Sequence, residues 1–193
     1  MAISLPTDIT VKKVRFEFQD VGLRSPLKFG TGTITELTYA LATARVITRG
    51  GERAVGRGGI LLSDLWAYPT KSLSHARRDR AMRAACGEIA DLYRDARGHP
   101  IDIVMERKPD YRRIGREISR RLDLIDPLPP LALLVCASPV DAALHDAFGR
   151  ANGVDSYRAC GEDFWENDLS RYLGPQFRGI RPDSFLSSDF APS

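Results

Sequence analysis

Cysteine is scarce: Cys86, Cys136 and Cys160 are the only three in 193 residues. They form no C-x-x-C and no close pair in the sequence, which excludes a disulfide framework and fits a reducing compartment. Histidine is equally rare. His75, His99 and His145 fall in three different segments, and no Cys or carboxylate pattern around them gives metal-ligand spacing. Long hydrophobic runs are missing; the longest, Leu131–Ala137, is far short of the roughly 20 residues a membrane helix needs. Residues 1–10 have no basic start and no apolar core, so no signal peptide is expected. A dominant charge is missing too. Against 28 Lys+Arg stand 25 Asp+Glu, a net of +3, too little to predict a polyanion partner by itself. There is no G-x-x-x-x-G-K-[ST], H-E-x-x-H, G-x-S-x-G or EF-hand loop. Gly30-Thr31-Gly32 lacks the third glycine of a dinucleotide fingerprint, because position 35 is Thr35. These absences predict a cytoplasmic chain with no membrane and no nucleic-acid partner.

What is present is ordinary for a globular protein: 43% hydrophobic and 27% charged residues, enough for one medium domain with its own core. Residues 10–20 alternate, with Val14, Phe16 and Phe18 on one face and Lys13, Arg15 and Glu17 on the other, which predicts a half-buried strand. Gly22, Pro26, Gly30 and Gly32 predict a loop over 21–32. Residues 33–48 read as a long strand. Gly50-Gly51 reads as a hairpin turn, and 52–57 as a third strand. A second loop is expected over 58–69.

Helices follow. Ala81, Ala85, Ile89, Leu92 and Ala96 repeat at three and four within 74–97, and Gly98 and Pro100 supply the stop. A shorter helical stretch from Ile101 is interrupted by Pro109 and continues through Ile114, Ile118 and Leu122. Pro127, Pro129 and Pro130 mark a boundary. Ser138 reads as an N-cap with Pro139 at the first helical position, for a helix ended by Gly153. Residues 161–193 scatter Phe164, Trp165, Tyr172, Phe177, Phe185 and Phe190 among Gly, Pro, Ser and Asp. Little regular structure is expected there beyond a turn near 166–172. Those aromatics either pack on something outside this chain or fold back onto the helices. The order gives α+β: a three-stranded antiparallel meander, then a helical bundle, then an irregular tail.

Two further patterns have competing readings. His145 faces Asp141 one turn away, as a carboxylate-oriented base or as an exposed helical ion pair. Two basic stretches, Lys71–Arg83 and Arg107–Arg121, are a phosphate footprint or the solvated faces of amphipathic helices. The bland reading is the expectation in both cases.

The order of motifs resembles the mandelate racemase/muconate lactonizing branch of the enolase superfamily. The first strand leads to Pro26-Leu27-Lys28-Phe29-Gly30, and a later strand to Ala54-Val55-Gly56-Arg57-Gly58. The most specific match, Ser138-Pro139-Val140-Asp141-Ala142-Ala143-Leu144-His145-Asp146-Ala147-Phe148-Gly149, is similar to the family's A-x-D-x-A-L-x-D-x-x-G helix. The resemblance implies an N-terminal capping domain over 1–130, a helical connection toward a barrel over 131–160, and the tail over 161–193. Two loops of such a cap shape substrate specificity. By position these are 22–32 and 58–69, making Lys28, Phe29, Leu61, Trp66 and Tyr68 the substrate-contact candidates. The family abstracts a proton α to a carboxylate, with Mg²⁺ stabilising the enediolate.

The family's Lys-x-Lys and its Asp, Glu and Asp/Glu metal ligands have no counterpart in this sequence, nor do the roughly 200 residues of a barrel. The resemblance therefore implies no catalytic residue and no metal site within this chain, with Mg²⁺ and a small carboxylate or sugar-acid substrate belonging to the joined enzyme. The chain is expected to be the front part of such an enzyme, truncated or split and inactive alone, and the resemblance implies a homo-oligomer, as family enzymes often form. The rival expectation is a non-catalytic interaction domain using its sheet and aromatic tail.

Overall fold

The computed structural model describes residues 5–29 and 32–186; Phe190 and the Gly30-Thr31 pair lie outside the described residues. Three long strands, β1 (Ile9–Phe29), β2 (Gly32–Thr48) and β3 (Arg53–Leu62), form an antiparallel meander. A two-residue strand, β4 (Arg97–Gly98), joins the far side of β1, so the sheet has four strands in the order β3-β2-β1-β4. Two residues carry no periodicity, which is why the sequence pattern shows three strands. The helices are α1 (Asp64–Ala67), α2 (His75–Leu92), α3 (Pro100–Arg107), α4 (Tyr111–Arg121), α5 (Pro130–Asn152) and α6 (Ser170–Leu173). The α+β class is that expected, with α2 and α5 packed on one face of the sheet.

Residues 21–29 are strand rather than loop. Val21 pairs with Leu37 and Gly22 with Glu36, and pairing resumes at Leu27 with Ile34. Between these pairs β1 has four residues and β2 has one. That wide bulge holds Pro26, which has no N–H to give a ladder. Gly58 and Gly59 likewise lie inside β3, not in a loop.

Their reason is close approach. A Cβ on Gly56 would stand 2.2 Å from the Ala143 carbonyl oxygen and 2.2 Å from the Ala147 nitrogen. One on Gly58 would stand 2.3 Å from the Pro139 oxygen. Helix α5 answers with Ala142, Ala143 and Ala147, so its backbone lies directly on β3. On β2 the facing residues are Ala40, Ala42 and Ala44, all fully buried. Asp146 then accepts a hydrogen bond from the Arg57 backbone N–H, 2.9 Å, which satisfies part of the β3 edge.

Helix α5 begins at Pro130, eight residues before the expected Ser138 cap, and Pro139 sits inside it. Pro139 leaves the Val135 carbonyl without its helical donor. The Ser138 hydroxyl donates to that carbonyl instead, 3.3 Å. Before Ser138, Ala132, Leu133, Val135, Cys136 and Ala137 are buried in a helix that packs on β2, β3, α2 and α4, while Leu131 and Leu134 are apolar but exposed. Its 23 residues, with a mean hydropathy of 1.4 over an 18-residue stretch, would suffice by length and composition to cross a membrane; here they form the core helix. Helix α5 also brings Cys136 against Cys86 of α2. Both are buried free thiols, and burial pushes the Cys136 thiol up.

The tail folds back. Trp165 is 1% exposed and its indole N–H donates to Asp102 of α3, 3.1 Å. Asn167 and Tyr172 donate to the same carboxylate at 3.0 and 2.6 Å. Phe164 packs edge-on against Phe148. Three of the tail aromatics therefore serve this chain's own core, while Phe185 stays exposed. In the tail the α-helical turn Ser170–Leu173 overlaps the turn expected at 166–172, and short 3-10 turns follow at Pro175–Phe177 and Pro182–Phe185.

Candidate ligand-binding site

The arms of the β1–β2 hairpin outrun β3, whose pairing with β2 stops at Thr38 and Leu62. The chain leaving β3 turns through Ser63 into α1, and Leu65 folds under the hairpin tip. A Cβ on Gly32 would meet a Leu65 methyl at 2.7 Å, so the hairpin and α1 are in close contact here and a side chain at position 32 would displace Leu65. Between them lies a cavity of about 320 Å³, lined by Gly32–Glu36 of β2, Asp64 and Leu65 of α1, and His75 and Arg78 of α2.

The floor of this cavity is braced by charge. Asp64 is 1% exposed and accepts from Arg78 Nε at 2.7 Å. His75 Nδ1 lies 3.1 Å from the same Asp64 oxygen. Arg78, itself buried, spends its remaining reach on the Thr70 and Leu73 carbonyls. Breaking such a buried pair from one side leaves an uncompensated charge, at a cost of about 3–5 kcal/mol. With Nδ1 engaged, His75 keeps Nε2 for a ligand. Thr33, Thr35 and Glu36 add exposed polar groups on the hairpin side.

A second brace holds the hairpin arms to α2. Arg83 reaches Asp79 at 2.7 Å, Thr38 at 2.6 Å, and Asp20. Its guanidinium also lies 5.4 Å from the centre of the Phe18 ring.

The five candidates from the sequence spread over this end of the sheet. Lys28 is exposed on the hairpin arm, opposite Thr33. The side chain of Phe29 lies outside the described residues. Leu61 is exposed on β3, opposite Tyr39. Trp66 is 47% exposed on α1. Tyr68 is 2% exposed. Its hydroxyl donates to the Asp126 carbonyl, and burial raises its pKa to about 12. Tyr68 thus props the segment from beneath while Trp66 faces out. Asp64, His75 and Arg78 carried no signal in the sequence beyond an Asp just after a Ser and a basic stretch read as a solvated face.

His145 is far from this cavity. It lies 3.6 Å from Asp141, as the helical spacing requires, but its side chain is only 22% exposed. Its ring packs 6.0 Å from that of His99 beneath the tail, so it is no exposed surface pair. Burial lowers its pKa.

Among the described residues no group of three or more His, Cys, Asp or Glu side chains could hold a metal ion, and Asp64 is already committed to Arg78 and His75. A resident Mg²⁺ does not fit this donor set.

No family model matches the sequence, and no curated protein does. Among solved structures the chain is similar to L-talarate/galactarate dehydratase from Salmonella typhimurium LT2, at 17% identity and a TM-score of 0.43, over 80% of this chain and 34% of that one. It is similar to a dipeptide epimerase from Enterococcus faecalis V583, solved with Mg and a dipeptide, at 16% identity and a TM-score of 0.44, over 79% and 34%. A third is a mandelate racemase/muconate lactonizing protein from Herpetosiphon aurantiacus, at 16% and 0.38, over 76% and 32%. The chain spans about a third of the length of the structures it matches.

Proposed function

We propose that this chain is the ligand-covering part of an enzyme of the mandelate racemase/muconate lactonizing kind, with the reaction centre on a further domain. The observation that carries the reading is the closure of the hairpin tip and α1 over one cavity, with Gly32 against Leu65 and the buried Asp64–Arg78 pair beneath. A ligand-covering element needs that combination of projecting arms, a rigid base and a few polar contacts. The motif order from Pro26-Leu27-Lys28 to the Asp141–Gly149 helix supports the same reading. Exposed Ile125, Leu131 and Leu134, just before and at the start of α5, support a further domain as what covers them.

In this reading the substrate is a small carboxylate or sugar acid, and the chemistry is proton abstraction α to its carboxylate by racemisation, dehydration or cycloisomerisation. The base and the Mg²⁺ ligands belong to the further domain, and Lys28, Leu61 and Trp66 are contacts from above. The test is α-proton exchange into D₂O, followed by NMR, with the purified chain, millimolar Mg²⁺ and a panel of sugar acids. The chain alone is expected to give no exchange. Clear exchange would place the reaction centre within these residues and overturn the proposal.

A further inference from the structure

The face of the sheet turned away from the helices carries a charge pattern that the lid reading does not use. Strand register puts Lys13 directly opposite Arg45, with Val55 beyond it. The next row is Arg15, Thr43 and Arg57, and Arg53 stands opposite Ile47. A bulge between Val11 and Lys13 turns Lys12 out as well. All six cations are exposed, and among the described residues none forms an ion pair with a carboxylate. Glu17 and Glu52 are the acids nearest to them in the strand register. Like charges directly opposite one another across strands are destabilising, so Lys13 and Arg45 face each other at a cost that an anion would remove. Lys12, Arg45 and Arg53 line an open groove of about 600 Å³ with Val55. Strand spacing makes the patch about 13 Å by 10 Å.

Beside the cations the same face holds an aromatic platform. Tyr39 leans across Gly59 of the neighbouring strand, where a Cβ would come within 2.1 Å of its hydroxyl oxygen. The ring therefore lies along the sheet, with Leu41 and Leu61 next to it. Rows of arginine beside a flat aromatic ring are how a surface holds phosphates on one side and a base on the other. An acidic protein fits less well, because protein interfaces place apolar anchors at their centre and keep charge to the rim. A duplex would need an element that enters a groove, and this face is a sheet.

We propose that the outer face of the sheet binds single-stranded nucleic acid, with its phosphates on Lys13, Arg15, Arg45, Arg53 and Arg57 and a base stacked on Tyr39. This departs from the expectation of no nucleic-acid partner, which rested on the weak net charge and on the helix arginines. Sequence spacing cannot display residues that three strands bring together. The helix arginines form their own exposed row, Lys108, Arg112, Arg116 and Arg120, but have no aromatic ring among them, and they serve as the control.

The test is fluorescence anisotropy of a labelled oligo(dT) of about 12 nucleotides with the full chain, across a salt series. With about four phosphates neutralised, log K should fall against log salt with a slope of about −3. Tyr39→Ala should weaken binding about fivefold or more, and Tyr39→Phe should restore it. The triple variant Arg15→Glu, Arg45→Glu, Arg57→Glu should abolish binding. Arg112→Glu, Arg116→Glu, Arg120→Glu makes the same change in net charge and should leave affinity within about threefold. Arg45→Gln, a single neutral change on an exposed strand position, gives the same reading if the triple variant fails to fold. Three results would overturn the proposal: no binding at low salt, equal loss in the helix triple variant, or binding unmoved by Tyr39→Ala and matched by anionic lipid vesicles.

Discussion

His99 stands at the head of α3 with both ring nitrogens in use. Nδ1 accepts from the Ile101 backbone N–H at 3.2 Å, and Nε2 lies 3.0 Å from the Ala159 carbonyl. The first bond makes Nδ1 the acceptor, so Nε2 carries the proton and the ring is neutral. Burial first, and the neighbouring His145 second, lower its pKa to about 4. The unfolded chain binds a proton here near pH 6.5, so the folded state is favoured fully above that pH and loses the advantage as pH falls toward 4. By pH 5 the loss is about 2 kcal/mol, from one pKa unit being worth about 1.4 kcal/mol. Urea midpoints at pH 7.5 and pH 5 measure it. His99→Asn, which keeps an N-cap acceptor, should remove most of the difference, and an unchanged midpoint in the wild type would refute the assignment. None of this is legible in the sequence, where His99 is a lone histidine before a proline. Its burial comes from Phe148 and Trp165, 49 and 66 positions later in the chain, whose rings lie 4.8 and 5.9 Å away.

At the scale of elements, what the sequence shows depends on whether local chemistry or tertiary contact sets the boundary. The meander, α2 and the end of α5 at Gly153, which adopts the left-handed conformation at φ 66°, follow from alternation, periodicity and capping. The extra length of β1 and β3 does not. Gly58 and Gly59 read as loop because glycine costs a strand about 0.5–1 kcal/mol against alanine, and only the backbone of α5 and the Tyr39 ring show why it is kept. The start of α5 was hidden for the same reason: a helix buried on most sides has no polar face to mark its period. The α5–β3 contact gives a direct prediction. Gly56→Ala puts a methyl 2.2 Å from two backbone atoms of α5, and overpacking of that kind costs about 1–3 kcal/mol. The urea midpoint should fall accordingly, whereas Gly22→Ala, with nothing within 4 Å, should stay within about 0.5 kcal/mol as a surface substitution. Equal effects at the two sites would contradict the close approach.

On the scale of the whole molecule, the sheet divides two surfaces. Its inner face and the helices build the core, and α1 and the hairpin tip shape a cavity at one end. Its outer face stays open. Lys28, Leu61 and Trp66 were legible as exposed residues at that end of the sheet, although none of them lines the cavity. The brace beneath it was not, because Asp64 and Arg78 are 14 positions apart and meet only when α1 folds back onto α2. Rigidity below and exposure above are what the proposed covering role requires, and the proposal can be tested residue by residue. The measurement is a ¹⁵N–¹H spectrum of the labelled chain titrated with a panel of sugar acids. The account predicts saturable shifts at Lys28, Leu61 and Trp66 and along the cavity wall at Thr33–Glu36, Leu65 and His75. Shifts confined to the tail residues Trp165, Asn167 and Tyr172 around Asp102, or none at saturating concentration, would contradict it.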